Sequence, residues 1–353
     1  MNFKDNFGSL PDDVDEIIEK LENDLDLFKN KKVLITGGSG HLGYFLLLTI
    51  LEANKRLSLN SEITVIIHNN LNWRFDFYLN EFTQIKGDLT NSNFLESLGQ
   101  FDVIIHLAGY AQPSKFISDP YSTIVINTHS VKMLLQKLAV NGRFLYISSS
   151  EVYRLFALFE KNGLTSSAMD VSHKRAAYIL SKLLGEVICE SELSNTSKKI
   201  KIVRLSMTYG PGIQPHDTRA ISSFFSQAIS SSKIILLDRG EAEREYLYVA
   251  DAIVAFFKIL IRGKHPKYNI GGGPNTSIRI AQVAKIIGDL TNSECEIPES
   301  NFNSTGASNK VSLDISRYVE EFGEISKTDI YSGLSKTFDW LVKESTVSNL
   351  HYS

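Results

Sequence analysis

Cysteine is scarce: only Cys189 and Cys295 occur in 353 residues. Two thiols build neither a disulfide framework nor a thiolate metal site, so no metal is expected. Such usage suits a reducing cytoplasm. An excess of basic charge is also missing. Lys and Arg number 37 against 40 Asp and Glu, a formal net charge of −3. No basic block stands out, and a nucleic-acid partner is not expected. No run of about 18 apolar residues occurs, which argues against a membrane-spanning helix. The opening MNFKDNFGSLPDDVDE is acidic and lacks an apolar stretch, so a secretory leader is not expected. What is present is ordinary for a globular chain, with 43% hydrophobic and 22% charged residues. The length allows one large or two interleaved domains.

Ile17, Ile18, Leu21, Leu25 and Phe28 fall at helical spacing. Pro11 and the acidic residues after it suit a helix start. The pattern predicts an amphipathic helix over 13–28, docked on the body or on a second subunit. Strands and helices then alternate. Strands are expected at 32–36, 63–67, 82–85, 102–107, 143–147 and 200–205, and helices at 42–53, about 120–140 and 173–192. This order argues an α/β fold with a parallel, doubly wound sheet, and strands apolar throughout agree with burial on both faces. Beyond 206, Pro211, Gly212, Pro215 and the Gly271–Pro274 cluster mark loops. Helices are expected near 217–231, 250–262 and 278–290, within a smaller C-terminal α/β part. The expected organisation is an extension over 1–30, a dinucleotide domain over 31–205 with 245–263 returning to it, a substrate-binding part over 206–345, and a tail. Residues 300–309, SNFNSTGASN, read as a polar loop.

The stretch TGGSGHLG joins the first strand to the first helix of that domain. Gly37 permits a tight turn, Gly40 lets a pyrophosphate approach the backbone, and Gly43 lets helix and strand pack closely. His41 and Leu42 lie between them at the helix N-terminus, whose open N–H groups suit phosphate. The second strand ends IIHNNLN, where an acidic residue would hold the adenosine ribose. Here Asn69 takes that position, and its amide still bonds ribose hydroxyls. NAD is the expected cofactor, with Arg74 nearby as the one feature favouring NADP. Asp88 and Leu89 follow the third strand, where Asp88 is either an adenine contact or a turn aspartate. Leu107 and Ala108 end the fourth strand beside the same cofactor.

Tyr178 and Lys182 are one helical turn apart. A neighbouring ammonium favours the tyrosinate, which takes a proton from an alcohol while hydride leaves the carbon. The motifs TGGSGHLG, HLAGYAQP, SSSEVY, YILSK and REYLYVAD, in that order, resemble the extended short-chain dehydrogenase/reductase family over roughly 31–345. The resemblance implies a Rossmann fold and a nucleotide-sugar substrate. Residues 108–128, 173–182 and 210–229 are most similar to UDP-glucuronate decarboxylases and related sugar-nucleotide dehydratases, as is the spacing from Ser149 to Tyr178.

What the resemblance implies is specific. Ser149 shares the substrate's C4 hydroxyl with Tyr178, and NAD takes the hydride. Ser150 and Glu151 stand where dehydratases and decarboxylases place an acid–base pair, and where plain epimerases have small residues. A C4 ketone acidifies the C5 proton; it also lies β to a C6 carboxylate, which leaves as CO2. Arg244 matches an arginine that binds the substrate's diphosphate or, in the decarboxylases, approaches the carboxylate; Arg219 and Arg175 match two further arginines of the decarboxylase pattern and are expected to bind substrate. A homodimer through the helices near 120–140 and 173–192 is implied.

The chain also departs from the pattern. Arg154 replaces the glycine of VYG, Lys174 replaces a proline, and Met207 stands where an asparagine touches the substrate. Methionine cannot make that hydrogen bond. Three readings remain: a decarboxylase or 4,6-dehydratase, a 4-epimerase or 4-oxidoreductase using Ser149, Tyr178 and Lys182 alone, and a non-catalytic NAD-binding protein.

Overall fold

The computed structural model describes residues 10–68, 71, 73–154, 171–193, 197–213, 217–273, 277–299, 312–325 and 328–351. The chain divides into two units, which alternate along it. One comprises Leu21–Leu205 and Phe256–Asn269; the other comprises Met1–Lys20, Ser206–Ala255 and Ile270–Ser353.

The first unit is built on β1 (Lys32–Thr36), β2 (Glu62–Ile67), β3 (Thr83–Lys86), β4 (Phe101–His106), β5 (Leu138–Ser149) and β6 (Lys199–Leu205). They pair in parallel in the order 3-2-1-4-5-6. A strand at Lys267–Ile270 extends the sheet beyond β6. From β1 the chain moves outward to β2 and β3, then returns to place β4 on the other side of β1. That reversal opens a crevice at the carboxyl ends of β1 and β4, where such sheets bind ligands. β1 and β4 read KVLIT and FDVIIH, with every residue but Lys32 and Asp102 buried, as strands covered on both faces must be.

Helix α1 (Leu10–Leu25) runs from the other unit into this one, and helices α2 (His41–Arg56), α3 (Ser92–Ser97), α4 (Pro113–Ser118), α5 (Pro120–Asn127), α6 (His129–Gln136) and α7 (Ala176–Leu193) accompany these strands. α1 extends the 13–28 expectation by three residues and is followed by a 3-10 turn to Phe28. Its apolar stripe, including Val14, Ile17, Leu21 and Leu25, is buried in the chain's own body. Phe28 meets Phe257 edge-on at 5.7 Å. Asp13, at the other end of α1, accepts hydrogen bonds from Tyr248 and Lys336.

The helix expected at 120–140 is broken. Asp119 ends α4, and its carboxylate caps α5 by accepting from the Ser122 amide at 3.0 Å, with Pro120 at the first helical position. β5 begins at Leu138, because the Phe101 amide reaches the Lys137 carbonyl at 2.9 Å and draws the chain into the sheet. Asn141 takes a left-handed conformation, φ 61°, within that strand.

The second unit has a three-stranded sheet of β7 (Met207–Tyr209), β9 (Glu243–Tyr248) and β11 (Ser277–Arg279), with β9 in the middle. Helices α8 (Ala220–Ser231), α10 (Ile280–Thr291) and α12 (Ile330–His351) belong to it. α9 (Val249–Arg262) passes from this unit back to the first. The expected loop at 300–309 lies outside the described residues. Among the described residues, no helix is long and apolar enough to cross a membrane.

Candidate active site

The glycine turn follows β1 at the crevice. Gly37 has φ 76°, and a Cβ there would sit 2.7 Å from the Ala108 amide nitrogen. Gly43 faces backbone too: its Cβ would lie 2.0 Å from the Gly37 carbonyl. Only glycine lets helix and strand close to that distance. Gly40 differs, because a Cβ there would meet just the Gly37 oxygen, at 3.3 Å. It is the N-cap of α2, and no side chain caps that helix. The first N–H groups of α2 are therefore open to an anion. His41 is buried and Leu42 partly so, at the helix start.

Leu107 and Ala108 are tied to β1. Their amides donate to the Thr36 carbonyl at 3.2 Å and to Thr36 Oγ1 at 3.3 Å. Thr36 Oγ1 also lies 2.7 Å from His106 Nδ1, and His106 Nε2 lies 3.3 Å from the Ile126 carbonyl. Burial drives the His106 pKa down to about 3, so the ring is neutral. A carbonyl only accepts, so Nε2 carries the proton and the Thr36 hydroxyl donates to Nδ1. This relay fixes the rim on which a dinucleotide would lie. Asp88 is exposed and its Oδ1 accepts from the Thr90 amide and hydroxyl, each at 2.8 Å, which is the turn role. Leu89 points into the core. Asn69 lies outside the described residues, as does the side chain of Arg74.

Ser149 is the last residue of β5, and its Oγ accepts from the Glu151 amide at 3.2 Å. α7 packs on β5 and on the turn over 150–152. Tyr178, Lys182 and Glu186 share one stripe of α7 at helical spacing. Lys182 donates to the Ile147 carbonyl at 2.8 Å, and Ser148 donates to Glu186 at 2.6 Å. Two successive strand residues thus staple α7 to the segment that carries Ser149. Burial raises the cost of the Glu186 charge, but Arg204 and Ser148 outweigh it and hold its pKa below the usual carboxylate range. Arg204 binds Glu186 in a fork, 2.7 Å at the closest, and covers the Tyr153 ring at 4.7 Å. The Tyr178 ring stacks on Phe116, centroids 4.7 Å apart.

Ser150 is buried. Glu151 is partly exposed, and its Oε2 lies 3.3 Å from Arg175 Nη1 and 3.4 Å from Arg154 Nη1. Arg175, expected to face the substrate, is placed on Glu151 and over the Phe116 ring at 5.6 Å.

Asn127 was not anticipated. Its amide donates to the Thr123 carbonyl and to Ser181 Oγ, each at 3.0 Å, while its Oδ1 has no partner among the described residues. A Cβ on Gly109 would lie 3.4 Å from both Asn127 Oδ1 and Lys182 Nζ, so both groups border that glycine. A polar residue inside the apolar run PYSTIVIN was the available signal.

The other predicted residues lie in the second unit. Met207 and Arg219 line a cavity of about 20 Å³. Arg219 forks onto Asp217 at 2.5–3.0 Å. Arg244 is buried and donates to the Glu243 carbonyl at 2.7 Å.

The residues around the turn fit a dinucleotide: an uncapped helix N-terminus, space at Gly40, and close backbone approach at Gly37 and Gly43. Relatives agree. The chain is 26% identical over 269 residues to UDP-glucuronic acid decarboxylase 1 of Xenopus tropicalis, covering 76% of this chain and 62% of that protein. It is 25% identical over 337 residues to dTDP-D-glucose 4,6-dehydratase of Mus musculus, covering 89% of each. The fold matches that of Bordetella bronchiseptica WbmF, solved with NAD+ and UDP, at TM-score 0.71 and 20% identity over 92% of this chain and 96% of that one. A family model described as NAD dependent epimerase/dehydratase matches residues 33–271, and the chain belongs to that family.

Proposed function

We propose that the protein is an NAD-dependent nucleotide-sugar-modifying enzyme. It oxidises C4 of its substrate to a 4-keto intermediate and then decarboxylates a UDP-glucuronate-like sugar or dehydrates across C5 and C6. Bound NAD supplies the hydride acceptor, held by residues 37–43 and by the rim at Leu107 and Ala108. Tyr178 removes the C4 hydroxyl proton. Ser149 orients that hydroxyl, and the Lys182 ammonium favours the phenolate. Arg244 and Arg219 bind the diphosphate, for which a guanidinium fork is suited.

The observation that supports a second chemical step is the Glu151 carboxylate, set two residues after Ser149 and flanked by two guanidiniums. Ketone formation at C4 lets a C6 carboxylate leave as CO2, or lets Glu151 take the C5 proton and pass it to the C6 hydroxyl, which departs as water; in either case the hydride taken from C4 would return to the sugar. A second reading, 4-epimerisation, draws on the same contacts, because Arg154 and Arg175 engage Glu151. Glu151→Gln separates the two. With UDP-glucuronate and UDP- and dTDP-hexoses followed by mass, the wild type should release CO2 or water; where water is lost, the variant should stop after hydride transfer, whereas CO2 loss, which needs only the C4 ketone, identifies the decarboxylase by itself. An unaltered mass with inverted C4, retained in Glu151→Gln, favours the epimerase.

We also propose a homodimer. Ile117, Tyr121 and Ile124 on α4 and α5, and Leu184 and Val187 on α7, are exposed apolar side chains on helices that pack together.

A further inference from the structure

β7 and β9 run parallel, with Met207 opposite Tyr246. Strand alternation places Arg244 and Tyr246 on one face of β9. Tyr246 is 6% exposed, and its hydroxyl has no hydrogen-bond partner among the described residues. The Tyr209 ring meets it edge-on at 6.1 Å and offers no strong acceptor. A phenylalanine would fill the same space without burying an unpaired polar group. Tyr246 lines the cavity of about 20 Å³ with Met207, Arg219 and Ser222. That volume holds roughly one water-sized group.

The chemistry around the hydroxyl limits what it would bind. Burial pushes its pKa up to about 12, although Arg244 and Arg219 pull the other way. The phenol is therefore a donor at neutral pH. The two guanidiniums favour an anionic acceptor, and Asp217 holds the fork of Arg219 in place. Met207 supplies no donor of its own. We propose that Tyr246 is a substrate-recognition residue whose hydroxyl donates to a diphosphate oxygen of the nucleotide sugar. This assignment rests on the substrate class proposed above, and it adds a contact that the arginines alone do not provide.

Tyr246→Phe removes only the hydroxyl. NAD-loaded wild type and variant are titrated calorimetrically with UDP and with dTDP, and both are melted without nucleotide diphosphate. The dissociation constant of whichever diphosphate the wild type binds should rise roughly tenfold to a hundredfold in the variant, as for a hydrogen bond to a charged group. NAD affinity should be unchanged, and the melting temperature equal or higher. Unchanged diphosphate affinity overturns the assignment and leaves the substrate class standing. A lowered melting temperature also overturns it, since the hydroxyl would then serve the fold. If the wild type binds neither diphosphate, the nucleotide-sugar reading fails and this contact falls with it.

Discussion

Lys182 carries an amine into the core of the first unit, with 6% of its surface exposed and the Tyr146 ring 5.1 Å from Nζ. Burial lowers its pKa to about 7, against a smaller opposing pull from Glu186. In an unfolded chain a lysine titrates near pH 10, so between about 7 and 10 the unfolded state holds a proton that the folded state has released. Stability therefore rises with pH across that window, while below about 7 both states are protonated and the burial penalty is fully present. Lys182→Met removes this dependence. In urea unfolding without added nucleotide, wild-type stability relative to the variant should improve by about 2 kcal/mol from pH 7 to about pH 9. A flat difference would show that the amine titrates normally.

At the scale of the element, the turn joining β1 to α2 assigns different tasks to its glycines. Gly43→Ala would drive a Cβ into the Gly37 carbonyl, 2.0 Å away, and should cost about 3 kcal/mol or more through forced separation of helix and strand. Gly40→Val has no such neighbour and should leave the melting temperature within a few degrees, yet weaken NAD at least about tenfold by filling the phosphate space. Thermal melts and NAD titrations of both variants check this, and a reversed pattern would refute it. The turn and the strands were legible because they depend on local signals: apolar runs buried on both faces, and glycine where backbone meets backbone. The break between α5 and α6 was not, because Asp119 capping a new helix competes with a continuous apolar period. Nor was the partner of Arg175 legible, since Glu151 reaches it through packing across residues far apart in sequence. Tyr246 was hidden for a different reason. Tyrosine in a buried strand is ordinary, and only the fold reveals that its hydroxyl lacks a partner among the described residues. The Tyr246 hydroxyl on the strand paired with Met207 was not foreseen.

For the whole molecule, the apolar residues on α4, α5 and α7 frame the proposed assembly. Leu184→Glu combined with Val187→Glu would place two carboxylates in that face. The variant should sediment as a monomer with its melting curve little changed, while the wild type sediments as a dimer; a monomeric wild type would remove the assembly proposal. The proposed chemistry turns on Tyr178 as the group that takes the C4 proton. The most direct test loads wild type and Tyr178→Phe with NAD and mixes each with UDP-glucuronate and UDP- and dTDP-hexoses, following reduced-nicotinamide fluorescence in a single turnover. The account predicts reduction in the wild type and a rate at least about a hundredfold lower in Tyr178→Phe, with equal NAD affinity. Equal rates in the two proteins, or no reduction by any sugar nucleotide that binds the wild type, would contradict it.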